Sequence, residues 1–416
     1  MDFGLIGKNV SNSLSKEIHS LFTEEYKYTL HNIDEDNFDD FMMHKRFKGL
    51  NITMPYKKDV IKYLFEKDDI VNSLNVANVI VNKKGKLYGY NTDYYGFLSL
   101  LDFYHIDVQN KEVAILGTGA TSLTVKKVLE DLNAKKVYRV SCHKKVHLNT
   151  ISVRRLYRRK PDIIVNTTPL GRVSYFNQTP IDVSKMSSTS IVIDVNYELK
   201  YPRLLLEAKE CGKEVFNGLY MLVAQAKKTV ELFLDKEITK EKEVEVFNIL
   251  KNKNISFCLF GMPYSGKTTL GLKYKEKNNL DFIDSDKVIT LVGNLPVNRI
   301  IEKYGIDYFR KLENETILEL ATIKNVLLAV GGGTLINKNN YDLLKQNFKF
   351  ILLKRDINKI TFSDDRPLSS NKDDYLKLLN DREEYYESIA DKVIINDSLE
   401  ESIKELEEYI NEVSNY

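Results

Sequence analysis

Short aliphatic runs of strand length recur along this chain, and longer helix-like stretches separate them. Such alternation predicts an α/β protein with mostly parallel sheets. In the first part the strand candidates are Phe3 to Ile6, Gly49 to Thr53, Val76 to Val81, Val113 to Leu116, Ile163 to Asn166 and Ile191 to Val195. In the second part they are Ile255 to Phe260, Asn325 to Val330, Phe350 to Leu353 and Lys392 to Ile395. Between the two series lies a polar stretch, Asp235 to Asn254, with the run Lys240-Glu241-Lys242-Glu243. Its alternating charges favour helix, so residues 236–253 are expected to form a helical linker, with a boundary near Lys251. No internal repeat or low-complexity segment interrupts the pattern.

With 416 residues, the chain has room for two or three domains. A hydrophobic fraction of 43% beside 29% charged residues is ordinary for a globular protein. Lys plus Arg (61) nearly balance Asp plus Glu (59), so overall charge points to neither nucleic acid nor membrane. The basic run Arg154 to Lys160 reads as a solvated face. Cys142, Cys211 and Cys258 are odd in number and far apart, which argues against a disulfide framework and a cysteine zinc site. No signal-like start or membrane-length apolar run is seen, and a cytoplasmic protein is expected.

Two glycine turns of different chemistry each follow a strand candidate. Gly117-Thr118-Gly119-Ala120-Thr121, after Val113 to Leu116, reads as a dinucleotide-binding turn of Rossmann type. Gly261-Met262-Pro263-Tyr264-Ser265-Gly266-Lys267-Thr268, after Ile255 to Phe260, is a complete P-loop. Its backbone amides, with Tyr264 to Thr269, are expected to cradle the phosphates of ATP. Lys267 would span the β and γ positions, and the Thr268 hydroxyl would ligate Mg2+. Two such loops in one chain predict two enzymes joined end to end.

Further motifs in the first part resemble shikimate dehydrogenase. They are Gly4-Leu5-Ile6-Gly7 with Ser13-Leu14-Ser15, Asn51-Ile52-Thr53-Met54-Pro55-Tyr56-Lys57, and Asn91-Thr92-Asp93-Tyr94-Tyr95-Gly96-Phe97. Val165-Asn166-Thr167-Thr168-Pro169-Leu170-Gly171 and Gly218 to Gln225 follow in that family's order, so the resemblance covers about residues 1–235. It implies a substrate lobe over 1–100, completed by a helix near 218–235, and a Rossmann lobe over 101–217. It also implies a Lys57/Asp93 dyad, with Lys57 exchanging a proton and Asp93 orienting it. Ser13, Ser15, Thr53, Asn78, Tyr197 and Gln225 would hold the polyol substrate, 3-dehydroshikimate or shikimate. The NADP(H) site would use Gly117 to Thr121, Ser141, Lys144, Lys145, Val195 and Gly218. Three departures stand out. Ala120 replaces a glycine, Cys142 sits where that family's arginine clamps the 2′-phosphate, and the span from His143 to Pro161 is too short for a full helix and strand. Lys144 and Lys145 are the expected substitutes, as point charges without a planar fork.

The second part resembles shikimate kinase over about residues 254–400, which implies a P-loop kinase domain over 254–416. Asp284-Ser285-Asp286 implies Asp284 near Mg2+ and Asp286 on substrate hydroxyls. Phe309-Arg310-Lys311-Leu312-Glu313 and Arg382 to Tyr386 imply Arg310 and Arg382 on the substrate carboxylate. Gly331-Gly332-Gly333, with Gly332, implies the turn facing the substrate, and Asp365-Arg366-Pro367-Leu368 a lid whose Arg366 reaches the phosphates. Ile306 follows Gly305 where that family carries an acidic residue, which changes what supports Arg310.

The resemblances together imply a bifunctional enzyme that reduces 3-dehydroshikimate with NADPH and phosphorylates shikimate with ATP and Mg2+. Only small-molecule partners are expected, with neither nucleic acid nor membrane, and the oligomeric state stays open. Two rivals remain: an NAD-using quinate or shikimate dehydrogenase fused to the kinase, and a degenerate first half acting as a ligand-binding regulatory module.

Overall fold

The computed structural model describes residues 2–11, 13–141, 149–253, 255–278, 280–362 and 371–415. These residues group into two compact units. One comprises residues 1–198 and 202–249, the other residues 199–201 and 250–416.

The first unit contains two sheets. β1 (Phe3–Gly7), β2 (Tyr28–Asn32), β3 (Gly49–Ile52), β4 (Glu66–Lys67), β5 (Val79–Lys83) and β6 (Lys86–Tyr90) assemble in the order β2-β1-β3-β5-β6-β4. β1 pairs in parallel with β2 and β3, whereas β3/β5 and β5/β6 are antiparallel. The β5–β6 hairpin turns through Lys84 and Gly85, both at positive φ, the two-residue turn whose twist matches its strands. Fully buried Ile6, Leu50, Ile52, Tyr56 and Ile80 form the core of this lobe.

The second sheet comprises β7 (Glu112–Leu116), β8 (Lys136–Ser141), β9 (Ile151–Ser152), β10 (Ile163–Asn166), β11 (Ile191–Asp194) and β12 (Glu214–Asn217). Its order is β12-β11-β10-β7-β8-β9, and every pairing is parallel. The order reverses between β7 and β10, so a crevice opens outside the carboxyl ends of those strands, next to the glycine turn that follows β7. Among the described residues between β8 and β10 stand the two-residue β9 and a four-residue helix, Val153–Leu156.

Two helices join the lobes. Thr92–Phe103 lies against Leu219–Leu234 so closely that a Cβ on Gly96 would stand 2.6 Å from the Met221 carbonyl oxygen. The stretch expected as a linker is the helix Lys240–Lys253, and its apolar side is buried at Val246 and Phe247. The Phe247 ring packs edge-on against Phe103 and Tyr220, at 5.4 and 5.1 Å between centroids. Buried Glu243 meets Lys227 and Lys240, each at 3.4 Å. The segment is therefore held by packing as well as by its own charge pattern.

The second unit has one parallel sheet of β13 (Ser256–Phe260), β14 (Asp281–Asp284), β15 (Val326–Ala329), β16 (Phe348–Lys354) and β17 (Lys392–Ile395), ordered β14-β15-β13-β16-β17. β13 sits in the middle, so its P-loop emerges with β15 and β16 on either side.

All ten strand candidates lie on observed strands, with ends shifted by up to three residues. Besides β8, which the Rossmann resemblance implies over Lys136 to Val140, the strands that hydrophobic pattern alone missed are β2, β4, β6, β9, β12 and β14. All but β6 are sheet edges, where polar residues such as Thr29, His31, Glu66 and Asp281 hide the signal.

Candidate active sites

In the first unit, the carboxyl end of β3 leads to Lys57, and the helix Thr92–Phe103 begins with Asp93 in its first turn. Asn91 caps that helix, its Oδ1 accepting from the Tyr94 amide at 3.2 Å, and the helix dipole favours a carboxylate there. Lys57 Nζ donates to Asp93 Oδ2 at 2.5 Å, and each side chain is only about an eighth exposed. Asn78 Nδ2 donates to Asp93 Oδ1 and to Thr92 Oγ1, both at 3.0 Å, while Asn78 Oδ1 accepts from the Thr92 amide at 2.7 Å.

Behind the dyad runs a buried polar relay that the sequence did not reveal. Tyr28 Oη donates to Asn51 Oδ1 (2.6 Å), Asn51 Nδ2 donates to Thr229 Oγ1 (3.3 Å), and Thr229 Oγ1 shares a hydrogen bond with Thr92 Oγ1 (3.2 Å). Thr92 Oγ1 also lies 3.4 Å from Gln225 Oε1. Lys57, Asp93, Asn78 and Gln225 are thus brought into one connected group, braced by residues from β2, β3 and the helix Leu219–Leu234. Satisfied buried networks of this kind hold their members in one geometry.

Ser13 and Ser15 bond each other at 3.0 Å at the start of the helix Ser15–Phe22, beyond β1. Thr53, at the end of β3, packs against Gly7 at the end of β1, where a Cβ would stand 2.3 Å from Thr53 Cγ2. These three lie past the carboxyl ends of the neighbouring strands β1 and β3, and among the described residues no hydrogen bond ties them to the dyad. Tyr197 follows β11 in the other lobe, its hydroxyl pushed to a higher pKa by burial.

At the crevice of the second sheet, Gly117 has φ 118°, and a Cβ there would stand 2.6 Å from Thr167 Oγ1, so only glycine fits. Gly119 faces open space. The helix Ala120–Asp131 begins directly after it with no side-chain cap, leaving its first amides for a ligand. Thr118, Ala120 and Thr121 complete the turn, and Ala120 does not prevent the helix from starting there. Opposite, a Cβ on Gly218 would stand 2.0 Å from the Val195 carbonyl oxygen, so β11 and β12 end in close contact. Buried Asp194 accepts from Asn166 Nδ2 (2.9 Å), the Asn196 amide (2.9 Å) and Asn196 Nδ2 (2.8 Å), which ties the loop after β10 to β11. Burial pushes its carboxyl up to about 7 against those hydrogen bonds. Ser141 is buried at the end of β8. Cys142, Lys144 and Lys145 lie outside the described residues.

In the second unit, Gly261 and Gly266 take φ of 143° and 90°, and a Cβ on Gly261 would stand 2.4 Å from the Leu353 carbonyl oxygen. Lys267 Nζ folds across its own loop, donating to the carbonyls of Gly261 (3.1 Å) and Met262 (2.9 Å) and reaching Ser265 Oγ at 3.3 Å. The helix Lys267–Lys277 starts with no side-chain cap, and Thr269 sits exposed in its first turn beside Tyr264 and Ser265 of the loop. Asn396 Nδ2 donates to the Ser265 carbonyl at 2.7 Å, a brace from beyond β17 that no motif announced. Thr268 Oγ1 donates to Asp284 Oδ2 at 2.6 Å, and Asp284 Oδ1 accepts from the Asp286 amide at 3.0 Å. Hydroxyl and carboxylate oxygens so placed are the hard donors that suit Mg2+.

Further candidate residues of the second unit converge on the glycine turn after β15. Arg310 Nη1 donates to Glu313 Oε2 at 2.7 Å, and Glu313, 1% exposed, accepts from Thr334 Oγ1 at 2.7 Å through its other oxygen. Glu313 therefore supports Arg310, while Ile306 is exposed at the start of the helix Ile306–Leu320. A Cβ on Gly333 would stand 2.8 Å from Arg310 Nη2, and one on Gly331 3.0 Å from Asp286 Oδ1. Arg382 Nη1 donates to the Gly332 carbonyl at 2.7 Å, and Tyr386 Oη donates to the same oxygen. Asp286, Arg310, Gly332 and Arg382 thus surround one turn. Arg366 lies outside the described residues.

Comparison with known proteins agrees with both halves. Residues 5–80 match the family model of the shikimate dehydrogenase substrate binding domain, and residues 263–414 match that of shikimate kinase. A shikimate dehydrogenase (NADP(+)) of Clostridium botulinum is 36% identical over 249 residues, which is 55% of this chain and 95% of that protein. One from Clostridium beijerinckii is 31% identical over 265 residues, 60% of this chain and 98% of that protein. Among solved structures, a chorismate mutase/shikimate 5-dehydrogenase fusion protein from Clostridium acetobutylicum aligns with a TM-score of 0.57 at 31% identity, covering 60% of this chain and 97% of its own. Shikimate dehydrogenase 1 from Peptoclostridium difficile aligns at 0.56 and 31%, covering 60% and 98%.

Proposed function

Because the chain belongs to the shikimate dehydrogenase family and carries a shikimate kinase domain behind it, we propose that it performs two consecutive steps on one small molecule. It is a bifunctional enzyme of the shikimate pathway. The first step is reversible reduction of 3-dehydroshikimate to shikimate with NADPH. The second is transfer of the γ-phosphoryl group of ATP to shikimate, giving shikimate 3-phosphate and ADP. One observation carries the reading: the two halves match families named for the same compound.

For the reduction, the reduced nicotinamide supplies hydride to the carbonyl carbon when bound in the crevice beside Gly117 to Thr121, Val195 and Gly218. Lys57 Nζ gives the proton to the carbonyl oxygen, and Asp93 holds that ammonium in place through the 2.5 Å contact. Asn78 fixes Asp93 from its other oxygen. Ser13, Ser15, Thr53, Tyr197 and Gln225 offer donors and acceptors to the substrate's carboxylate and hydroxyls. Residues 1–100, with the helix Leu219–Leu234, serve as the substrate lobe, and 101–217 as the nucleotide lobe.

For phosphoryl transfer within 254–416, residues Tyr264 to Thr269 cradle the phosphates, and Lys267 swings from its loop carbonyls to the β and γ positions. Thr268 and Asp284 would hold Mg2+, which would neutralise charge on the phosphates. Asp286 orients the attacking hydroxyl. Arg310 and Arg382 fork the substrate carboxylate, and Arg366 meets charge on the transferring group.

The test is to assay the purified chain for shikimate-dependent NADP+ reduction and, separately, shikimate-dependent ATP consumption. Lys57→Ala should lower the first at least a hundredfold and spare the second, and Lys267→Ala should do the reverse. Either substitution silencing both reactions in a folded protein would sink the two-site reading.

A further inference from the structure

The dinucleotide crevice holds a cation that no motif accounts for. Arg139 lies on β8, paired with Ile115 of β7, and its side chain rises beside the glycine turn. Its Nη2 donates to the Thr118 carbonyl at 2.9 Å and reaches Ser122 Oγ at 3.1 Å. Its Nε is buried with no hydrogen-bond partner, and no carboxylate pairs with the guanidinium among the described residues. Desolvation by the surrounding protein lowers its pKa with no opposing charge.

This placement is costly as it stands. Ser122 belongs to the first turn of the helix Ala120–Asp131, where the peptide dipoles present about half a positive charge. A half-buried guanidinium is therefore set beside a second positive end, with no acid among the described residues to compensate either. A partly buried cation left without a counter-charge in a cleft marks a candidate ligand site. The missing partner is an anion.

Position selects which anion. Thr118 is the middle residue of the Gly117-Thr118-Gly119 turn, and the Gly117 amide donates to the Val140 carbonyl at 2.9 Å, so turn and strand end are in contact. In a Rossmann unit, a side chain about 20 residues beyond the glycine turn reads the adenosine ribose: an acid accepts the free 2′-hydroxyl, an arginine accepts the 2′-phosphate. Arg139 stands at that spacing, on that strand, bonded to the turn's middle carbonyl.

Resting on the dehydrogenase reading above, we propose that Arg139 is the residue that selects NADP(H) over NAD(H), by pairing with the 2′-phosphate of the adenosine ribose. Its Nη2 holds the turn and its Nη1 is left to meet the phosphate, a fixed placement that a flexible lysine at 144 or 145 does not reproduce. Pairing also removes the penalty of the uncompensated cation, so the apo crevice is built for a dinucleotide that brings this extra charge.

Fluorescence titration of the full chain with NADPH and NADH reads the nicotinamide directly, independently of turnover and of the kinase site. Arg139→Met should weaken NADPH binding at least tenfold and leave NADH within twofold, and Arg139→Lys should fall between. Thermal melts of the ligand-free variants check that the turn survives. Equal losses for both dinucleotides would overturn the proposal, because Arg139 would then only strap the glycine turn. Unchanged NADPH affinity would overturn it as well, by placing the 2′-phosphate elsewhere. Binding of neither dinucleotide by the unaltered chain would instead sink the dehydrogenase reading.

Discussion

At the residue scale, His19 shows what burial does to a titrating group. Its ring is 1% exposed, stacked on Tyr28 at 3.8 Å between centroids, with Nδ1 2.6 Å from Tyr26 Oη. Its Nε2 is buried without a partner, and desolvation lowers its pKa to about 3. In the unfolded chain the same ring takes a proton near pH 6.5, so between those values the unfolded state binds more protons. Stability is then lost as pH falls below about 6.5, by about 2 kcal/mol at pH 5. Asp194 works oppositely. Its carboxyl, pushed up to about 7, keeps a proton that the unfolded chain has already released, so its contribution declines as pH rises from about 4 to 7. The two effects partly cancel in the intact protein. His19→Phe should therefore gain about 2 kcal/mol relative to the parent on moving from pH 7.5 to pH 5, measured by urea unfolding at both pH values. A difference between the two proteins that does not change with pH would show that His19 is protonated within the fold.

At the scale of elements, the helix pair Thr92–Phe103 and Leu219–Leu234 fixes the dehydrogenase site. The first carries Asp93 and Thr92, the second Gln225 and Thr229, and the relay crosses between them. Gly96 permits this approach, because a Cβ there would meet the Met221 carbonyl oxygen at 2.6 Å and Gln225 Cβ at 2.9 Å. Backbone cannot yield as a flexible side chain does. Gly96→Ala, which raises helix propensity by about 1 kcal/mol, should nonetheless destabilise the protein by about 1–3 kcal/mol through overpacking. It should also lower dehydrogenase kcat/KM at least tenfold while shikimate-dependent ATP consumption is kept. A variant as stable and as active as the parent would mean that the helices can separate without cost.

At the scale of the whole molecule, the residues proposed for each reaction lie within one unit. Lys57, Asp93, the glycine turn at 117 and Gly218 fall before residue 250, and Lys267, Asp284, Arg310 and Arg382 fall after it. Each unit also has its own buried apolar cluster, around Leu50 and Ile80 in the first and around Leu259 and Leu327 in the second. The helix Lys240–Lys253 continues past the division at Ile249, so a cut belongs after Lys253. Expressed separately, 1–253 and 254–416 should each be soluble and catalyse one reaction with constants within a few-fold of the intact chain's. Insolubility of either fragment, or activity regained only on mixing, would contradict independent units.

What the sequence determined by itself was whatever contiguous residues decide. The P-loop, the glycine turn after β7 and the central strands were all legible, since backbone conformation and burial there follow from neighbours along the chain. Motif order was legible too, and it brought Lys57 and Asp93 forward as a pair. Tertiary structure alone decided the partners. The bond from Asn51 to Thr229 joins residues 178 positions apart, and that from Asn396 to Ser265 spans 131. Which polar groups meet over such distances is set by strand order and helix approach, and local propensity carries no record of either. Edge strands escaped for the same reason, because their identity lies in the neighbour they pair with. The polar helix at 240–253 looked like a spacer until the rings of Phe103 and Tyr220 were found against Phe247. In sequence Arg139 is one strand residue among others, and only the fold sets its guanidinium at the glycine turn with no acid beside it among the described residues.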